Sequence, residues 1–324
     1  DLIHKAAEDR LEEVRRCIGS LNCLSRLFRD LPYTCTMNPA LGHEVEPEYQ
    51  VTPATVKKKV MVIGAGPAGM ECAITAKKRG HDVTVFDKAG RIGGNLYAYA
   101  INDLARPDDL LSVISHYEAV AKKLGIEVRL NTEVHAKFMR SVLHQYDVCV
   151  IAAGASIDRG RHAHVKGAER MLDALDVAHG RVKAGQRVVV VGGGKIGLTL
   201  AEALRKHQGA EVTVIEPAKR IAGDVKPSFK WRHASWVEEL GITCLTSTTL
   251  AEVGADGVRV RNAKGEESFV PADTVIQADG VAPAHPLFHE FEWMIDELHG
   301  VGDAVIPRGL EQAIQEGFRL GVRL

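Results

Sequence analysis

Short apolar, β-branched runs alternate with glycine turns and amphipathic stretches along most of the chain. KKKVMVIGAGPAGMECAITAKKRGHDVTVFDKAG, starting at Lys57, reads as strand, glycine turn, helix and strand. QRVVVVGGGKIGLTLAEALRKHQGAEVTVIEPAKR, starting at Gln186, repeats that order. The first glycines of the two turns, Gly64 and Gly192, stand 128 positions apart and the later glycines keep the offset, so one nucleotide-binding unit is present twice. EVRLNTEV predicts a further strand ahead of the first copy's closing strand, DVCVIAAG. After the second copy, ITCLTSTTLAEVGADGVRVRNAKGEESFV predicts an antiparallel hairpin, and DTVIQADG a closing strand. The tail GVGDAVIPRGLEQAIQEGFRL ends in a helix. At the other end, Leu11, Val14 and Ile18 among charges predict an amphipathic helix over residues 3–18, and Leu31 to Ala54 reads as an irregular connector.

These elements give an α/β fold of two Rossmann-like dinucleotide-binding domains, the second inserted in the first. The expected domains are a helical and irregular Cys segment at 1–54, a first domain of 55–160 with 285–324, and a second of 161–284.

Each glycine has a physical task. Gly64 permits the tight turn, Gly66 lets the backbone approach a pyrophosphate, and Gly69 lets the helix pack closely on the strand. The helix N-terminus adds N–H groups and a positive dipole end. Asp87, eighteen residues past Gly69, is placed to accept ribose hydroxyls. Gly192, Gly194, Gly197 and Glu216 repeat the arrangement. A carboxylate at Glu216 binds a 2′-hydroxyl and repels a 2′-phosphate, which favours NAD(H) over NADP(H). Lys219 and Arg220 follow at once and keep a phosphate partner open. The turn Arg91-Ile92-Gly93-Gly94-Asn95 is small enough to lie against a flavin pyrophosphate, and Gly302-Asp303 offers a carboxylate to a ribityl chain. Two dinucleotide sites on one chain suggest a hydride relay between a nicotinamide and a flavin.

Composition narrows the picture. A formal net charge of −1 gives no electrostatic footprint for nucleic acid or an anionic membrane. No apolar run reaches the roughly 18 residues of a membrane span. The opening DLIHKAAEDRLEEVRR is too charged for a secretory signal and lacks an initiating Met, so the chain reads as a fragment, a processed product or one numbered from an internal residue. Of six cysteines, Cys72 and Cys149 sit in apolar surroundings and read as core. Nothing suggests a disulfide framework, and a cytoplasmic location is expected.

From about residue 57 onward the chain resembles the two-dinucleotide flavoprotein fold of the glutathione reductase type, on GAGPAG, DKAGRIGG, the AAG at 152–154 and the GDA at 302–304. The resemblance implies FAD in the first unit. Its turn residues would be Gly64, Gly66, Pro67, Ala68 and Gly69, followed by Asp87, Lys88, Arg91, Gly94 and Asn95. Val134, Ala153, Gly154, Gly302 and Asp303 would complete that site. It implies NAD(P)H in the inserted unit, on Gly192, Gly194, Lys195, Ile196, Gly197, Glu216 and Gly280. RIGGNLYAYAINDL contains no Cys, so the disulfide-reducing branch is not expected.

A longer stretch is similar to the C-terminal half of the family of 2,4-dienoyl-CoA reductase and trimethylamine dehydrogenase, the old-yellow-enzyme-type NADH:flavin oxidoreductases. It is carried by EVRRCIGSLNCLSRLFRDLPYTCTMNPALG and GDAVIPRGLEQAIQEGFR. The resemblance implies an FMN-binding TIM barrel, as domain or subunit, ahead of this part. No catalytic residue can be named without it. A separate electron-transfer partner and a homo-oligomer are also expected. The family's four-Cys iron–sulfur segment has its counterpart in Cys17, Cys23 and Cys35, with Ser20 at the fourth position. A modified iron–sulfur cluster and a degenerate site whose cysteines pack stand open.

Two functions follow. One is the electron-transfer module of an NAD(P)H-dependent flavin oxidoreductase, coupled to enoate- or dienoyl-CoA-type reduction or to N-methylamine dehydrogenation. The other is a nucleotide-binding structural module of an amine dehydrogenase-like enzyme, holding ADP or FAD without NADH turnover. The cysteine segment leans to the amine branch, and the intact GGGKIG with Glu216 to the reductases. A stand-alone NADH:acceptor reductase is a third, weaker reading.

Overall fold

The computed structural model describes residues 2–284 and 286–324. It splits into two compact units: the residues up to Tyr97 with Asp108–Ala155 and Pro283–Leu324, and Ala98–Pro107 with Ser156–Ala282. The boundary expected at residue 285 lies outside the described residues.

The N-terminal segment departs from expectation. In place of one helix over 3–18 there is α1 (Leu2–Ala7), a 3-10 turn at Leu11–Glu13, and α2 (Asn22–Leu27). Asp9 turns left-handed at φ 53 and ends α1, while Arg10 pairs with the Glu8 and Glu13 carboxylates. Of the three apolar positions that predicted the stripe, only Ile18 is buried, and Leu11 is 45% exposed. Local ion pairs override a marginal period.

The first unit continues with β1 (Lys59–Ile63), α3 (Pro67–Lys78), β2 (Asp82–Phe86), α4 (Asn95–Asn102, which from Ala98 on belongs to the second unit), α5 (Pro107–Leu124), β3 (Glu127–Arg129), α6 (Ala136–Val142) and β4 (Val148–Ile151). β5 (Ala155–Ile157) then leads out. The second unit holds β6 (Leu172–Asp173), α7 (Ala174–Ala178), β7 (Arg187–Val191), α8 (Lys195–Gln208), β8 (Glu211–Glu216), α9 (Pro227–Glu239) and β9 (Thr243–Thr246). It goes on through β10 (Thr248–Val253), β11 (Gly257–Asn262), β12 (Glu267–Pro271) and β13 (Thr274–Gln277). The chain returns through β14 (Val281–Pro283), which pairs with β5, and ends with α10 (Pro286–Phe291), β15 (Leu298–Gly300) and α11 (Leu310–Arg323).

Each unit is built on a parallel five-stranded sheet, ordered β15-β4-β1-β2-β3 in the first and β6-β13-β7-β8-β9 in the second. β1 and β7 are buried on both faces after their first residue. That explains why they read as unbroken Val/Ile/Met runs rather than as alternation. The predicted hairpin is a three-stranded antiparallel sheet, β10-β11-β12, set off from β9 where Ser247 turns left-handed. The predicted strand over EVRLNTEV is cut to β3 because Asn131 turns at φ 50, and Asn131 and Thr132 donate to the Ala89 and Asp87 carbonyls.

α11 lies against α3 through glycines. A Cβ on Gly317 would overlap the Ala68 carbonyl, and one on Gly321 would stand 2.9 Å from the Cys72 carbonyl oxygen. This contact fixes the N-terminal end of α3, where the first glycine turn arrives. No helix among the described residues is long and apolar enough to cross a membrane.

Candidate functional site

The two glycine turns share one geometry. Gly64 and Gly192 stand at φ 114 and 112, conformations open to glycine, and their N–H groups donate to the carbonyls of Phe86 and Ile215 at 2.7 and 2.9 Å. Gly66 and Gly194 precede the first residue of α3 and α8 in extended conformation. A Cβ on Gly69 or Gly197 would overlap the carbonyl oxygen of Gly64 or Gly192, so each helix touches its turn only because the third glycine has no side chain.

The acids after the second strands are tied to these turns. Asp87 accepts from the Ala65 N–H at 2.6 Å and the Ala89 N–H at 2.7 Å. Glu216 accepts from the Gly193 N–H at 2.8 Å and the Ala218 N–H at 2.7 Å. Each carboxylate is thus held beside its turn with lone pairs still available to ribose hydroxyls.

Around the first turn, a Cβ on Gly66 would meet nothing nearer than the Gly94 Cα at 4.0 Å. The N-terminus of α3 therefore faces an open cradle, begun by Pro67, which has no N–H to satisfy. This cradle fits a dinucleotide pyrophosphate. Ala68 lies beneath Gly302, whose N–H donates to Glu316 at 2.9 Å. The Arg91 guanidinium lies 4.2 Å from the Tyr97 ring centroid, and the Asn95 amide donates to the Ala155 carbonyl at 3.0 Å. Lys88 is exposed, Val134 is buried, and Ala153 and Gly154 come one residue after the end of β4. Asp303 accepts from the N–H groups of Arg308 and Gly309 at 2.8 and 3.0 Å, so it also fastens the turn into α11.

Around the second turn, Lys195 and Ile196 open α8, and Gly280 follows β13. Burial lowers the Lys195 pKa, opposed by the Asp224 and Asp103 carboxylates. Two features escaped the sequence reading. Asp279 accepts from Arg161 Nε at 2.8 Å and lies 2.9 Å from His162 Nε2, which brings the Arg161 side chain over Gly280. The Asp224 carboxylate accepts the Lys195 N–H at 2.8 Å. No motif signals the first pair. The second is visible once the internal repeat is extended past Glu216.

The cysteine segment does not gather. Cys17 is exposed and its sulfur accepts the Gly19 N–H at 3.4 Å, whereas Cys35 packs against the first unit's core. The Ser20 hydroxyl is bonded to that of Thr36 at 2.8 Å. Among the described residues no three His, Cys, Asp or Glu side chains converge on a metal position. As folded, Cys17, Ser20, Cys23 and Cys35 do not fit a four-iron cluster. Burial pushes the Cys72 and Cys149 thiols up to about 12, so neither serves as a thiolate at neutral pH.

The family described as "Pyridine nucleotide-disulphide oxidoreductase" matches residues 58–301. The chain belongs to that family. Membership carries the two-unit fold and binding of FAD and NAD(P)H. An NADH oxidase of Thermoanaerobacter brockii is 33% identical over 98% of this chain and 48% of its own length. A cinnamate reductase of Clostridium sporogenes is 31% identical over 99% and 47%. Among solved structures, a 2-naphthoyl-CoA reductase complex superposes with a TM-score of 0.93 at 34% identity, covering 100% of this chain and 48% of that one. The chain spans about half the length of these relatives, and the resemblance to one half of a larger flavoenzyme holds.

Proposed function

We propose that the chain is the electron-transfer half of a larger NADH-dependent flavin oxidoreductase. It takes hydride from NADH in the second unit onto FAD in the first, and hands electrons to an FMN-binding TIM barrel. The observation that supports this most is the pair of congruent glycine turns, each with its carboxylate held in place, one of them facing an open cradle. The relatives named cinnamate reductase and 2-naphthoyl-CoA reductase favour an enoate- or enoyl-CoA-type double bond as the barrel's substrate.

Bound FAD would supply two-electron acceptance and release of electrons to a second centre. The chain's own residues supply position and charge. In this reading the α3 N-terminus with Gly66, Pro67, Ala68, Gly94 and Asn95 holds the FAD pyrophosphate, and Asp87 the adenosine ribose. Val134, Ala153 and Gly154 line the strand ends, and Gly302 with Asp303 meets the ribityl chain. In the second unit Gly194, Lys195 and Ile196 receive the pyrophosphate and Glu216 the ribose. A 2′-phosphate would be brought against the fixed Glu216 carboxylate, which makes NADH the preferred donor. In this reading Cys35 serves as packing, and the segment holds no conventional four-iron cluster.

The protein should purify with FAD bound and reduce an artificial acceptor such as ferricyanide at the expense of NADH. Bound FAD with no NADH turnover would instead support the structural-module reading.

A further inference from the structure

The internal repeat runs beyond its fingerprint. DKAGRIGGN, from Asp87, aligns with EPAKRIAGD, from Glu216, with identity at Ala89 and Ala218, Arg91 and Arg220, Ile92 and Ile221, and Gly94 and Gly223. The backbones agree. The Gly93 N–H donates to the Ala65 carbonyl at 2.9 Å, as the Ala222 N–H donates to that of Gly193 at 2.7 Å. The chain then turns back alike, Leu96 to Gly93 at 3.1 Å and Val225 to Ala222 at 3.2 Å. The last aligned pair is Asn95 and Asp224. Duplication has left a neutral amide on one turn and a carboxylate on the other.

The two are used differently. Asn95 gives its amide to the Ala155 carbonyl, and the space over Gly66 stays open. Asp224 accepts the first N–H of α8, and both its carboxylate oxygens lie 3.0 Å from where a Cβ of Gly194 would stand. The carboxylate at this helix N-terminus offers the charge and acceptors that a phosphate would offer there. We propose that Asp224 is a built-in competitor for the pyrophosphate of the nicotinamide dinucleotide, which docks only when this side chain swings out. The proposal rests on the reading of the second unit as the NADH site.

The surroundings suit a one-side-chain switch. The backbone of the loop is fixed: Ala222 is buried at φ 59, where the first unit has Gly93, and Ile221, Val225 and Phe229 pack around Leu198. Asp224 itself is exposed and can rotate without moving that cluster. Left in place, it would set a negative charge against a doubly charged pyrophosphate. The α3 turn escapes the conflict because Pro67 has no N–H to recruit a cap.

The test measures binding of ADP-ribose, which carries the pyrophosphate but transfers no hydride, to the FAD-loaded full chain by titration calorimetry. Asp224→Asn keeps an acceptor for the Lys195 N–H without the charge, and Asp224→Ser gives a second neutral cap. Both should bind ADP-ribose at least tenfold more tightly than the wild type, with flavin content unchanged. Equal or weaker binding by the variants, where the wild type binds, overturns the proposal and makes Asp224 a helix cap alone. If neither wild type nor variants bind ADP-ribose or NADH, the NADH reading of the second unit falls, and the proposal with it.

Discussion

Gly66 and Gly69 lie three residues apart on the same turn, and a side chain at each meets a different obstacle. At Gly66 it enters the open space proposed above for the pyrophosphate. Gly66→Val is therefore expected to fold with near-normal melting temperature and lose nearly all bound FAD, read as flavin absorbance per protein. Full flavin retention would move the cofactor elsewhere. At Gly69 even a methyl overlaps the Gly64 carbonyl, so Gly69→Ala should cost about 3 kcal/mol in chemical denaturation, with or without flavin. In the second unit, repulsion between Glu216 and a 2′-phosphate of about 1.4 kcal/mol or more corresponds to roughly a tenfold or greater preference for NADH in kcat/KM. Equal values for NADH and NADPH would remove Glu216 from this role. The glycines and acids were legible in the sequence because each is tied to the others by fixed spacing. The Arg161–Asp279 pair was not, since it lies on loops that no period or motif marks, and Asp224 shows only when the repeat is extended past Glu216.

At the scale of elements, the least legible part was the N-terminal segment, because ion pairs to distant residues shape it. Arg15 pairs with Glu71 at 2.7 Å and donates to the Met37 carbonyl at 2.9 Å, and Tyr117 donates to the same Glu71 at 3.2 Å. Burial works against the Arg15 charge, but Glu71, Tyr117 and Cys35 together hold its pKa above the ordinary value. Arg15→Ala would leave the fully buried Glu71 without its cation, a loss of about 3–5 kcal/mol. Limited proteolysis should then cut the segment before residue 50 faster than in the wild type. His116 lies behind this pair, and burial, followed by the Arg15 charge, pushes its pKa down to about 4. The unfolded chain binds that proton from about pH 6.5 downward while the folded one does not. Stability should thus be full above pH 6.5 and fall by about 3 kcal/mol toward pH 4. His116→Gln should flatten that slope in melting curves, and an unchanged slope would exonerate His116. The hydrophobic pattern located the central strands of both sheets, since buried parallel strands show as continuous apolar runs, but not the short edge strands β6 and β15. It could not show that Asn131 and Ser247 would turn left-handed and shorten or divide the elements around them.

At the scale of the whole molecule, the duplication gives two units with one four-strand order, β4-β1-β2-β3 and β13-β7-β8-β9, and leaves them with different chemistry at their turns. The first keeps an open cradle beside a neutral Asn95, and the second carries Asp224 against its helix N-terminus. The central claim is that these twin sites divide the work, FAD in the first and hydride donor in the second. It is tested most directly by anaerobic titration of the FAD-loaded chain and its Gly194→Val variant with NADH, following flavin absorbance. The wild type should bleach to completion near one equivalent of NADH, and the variant should stay yellow with its FAD intact. A wild type that NADH does not bleach, or a variant that bleaches just as readily, would contradict it.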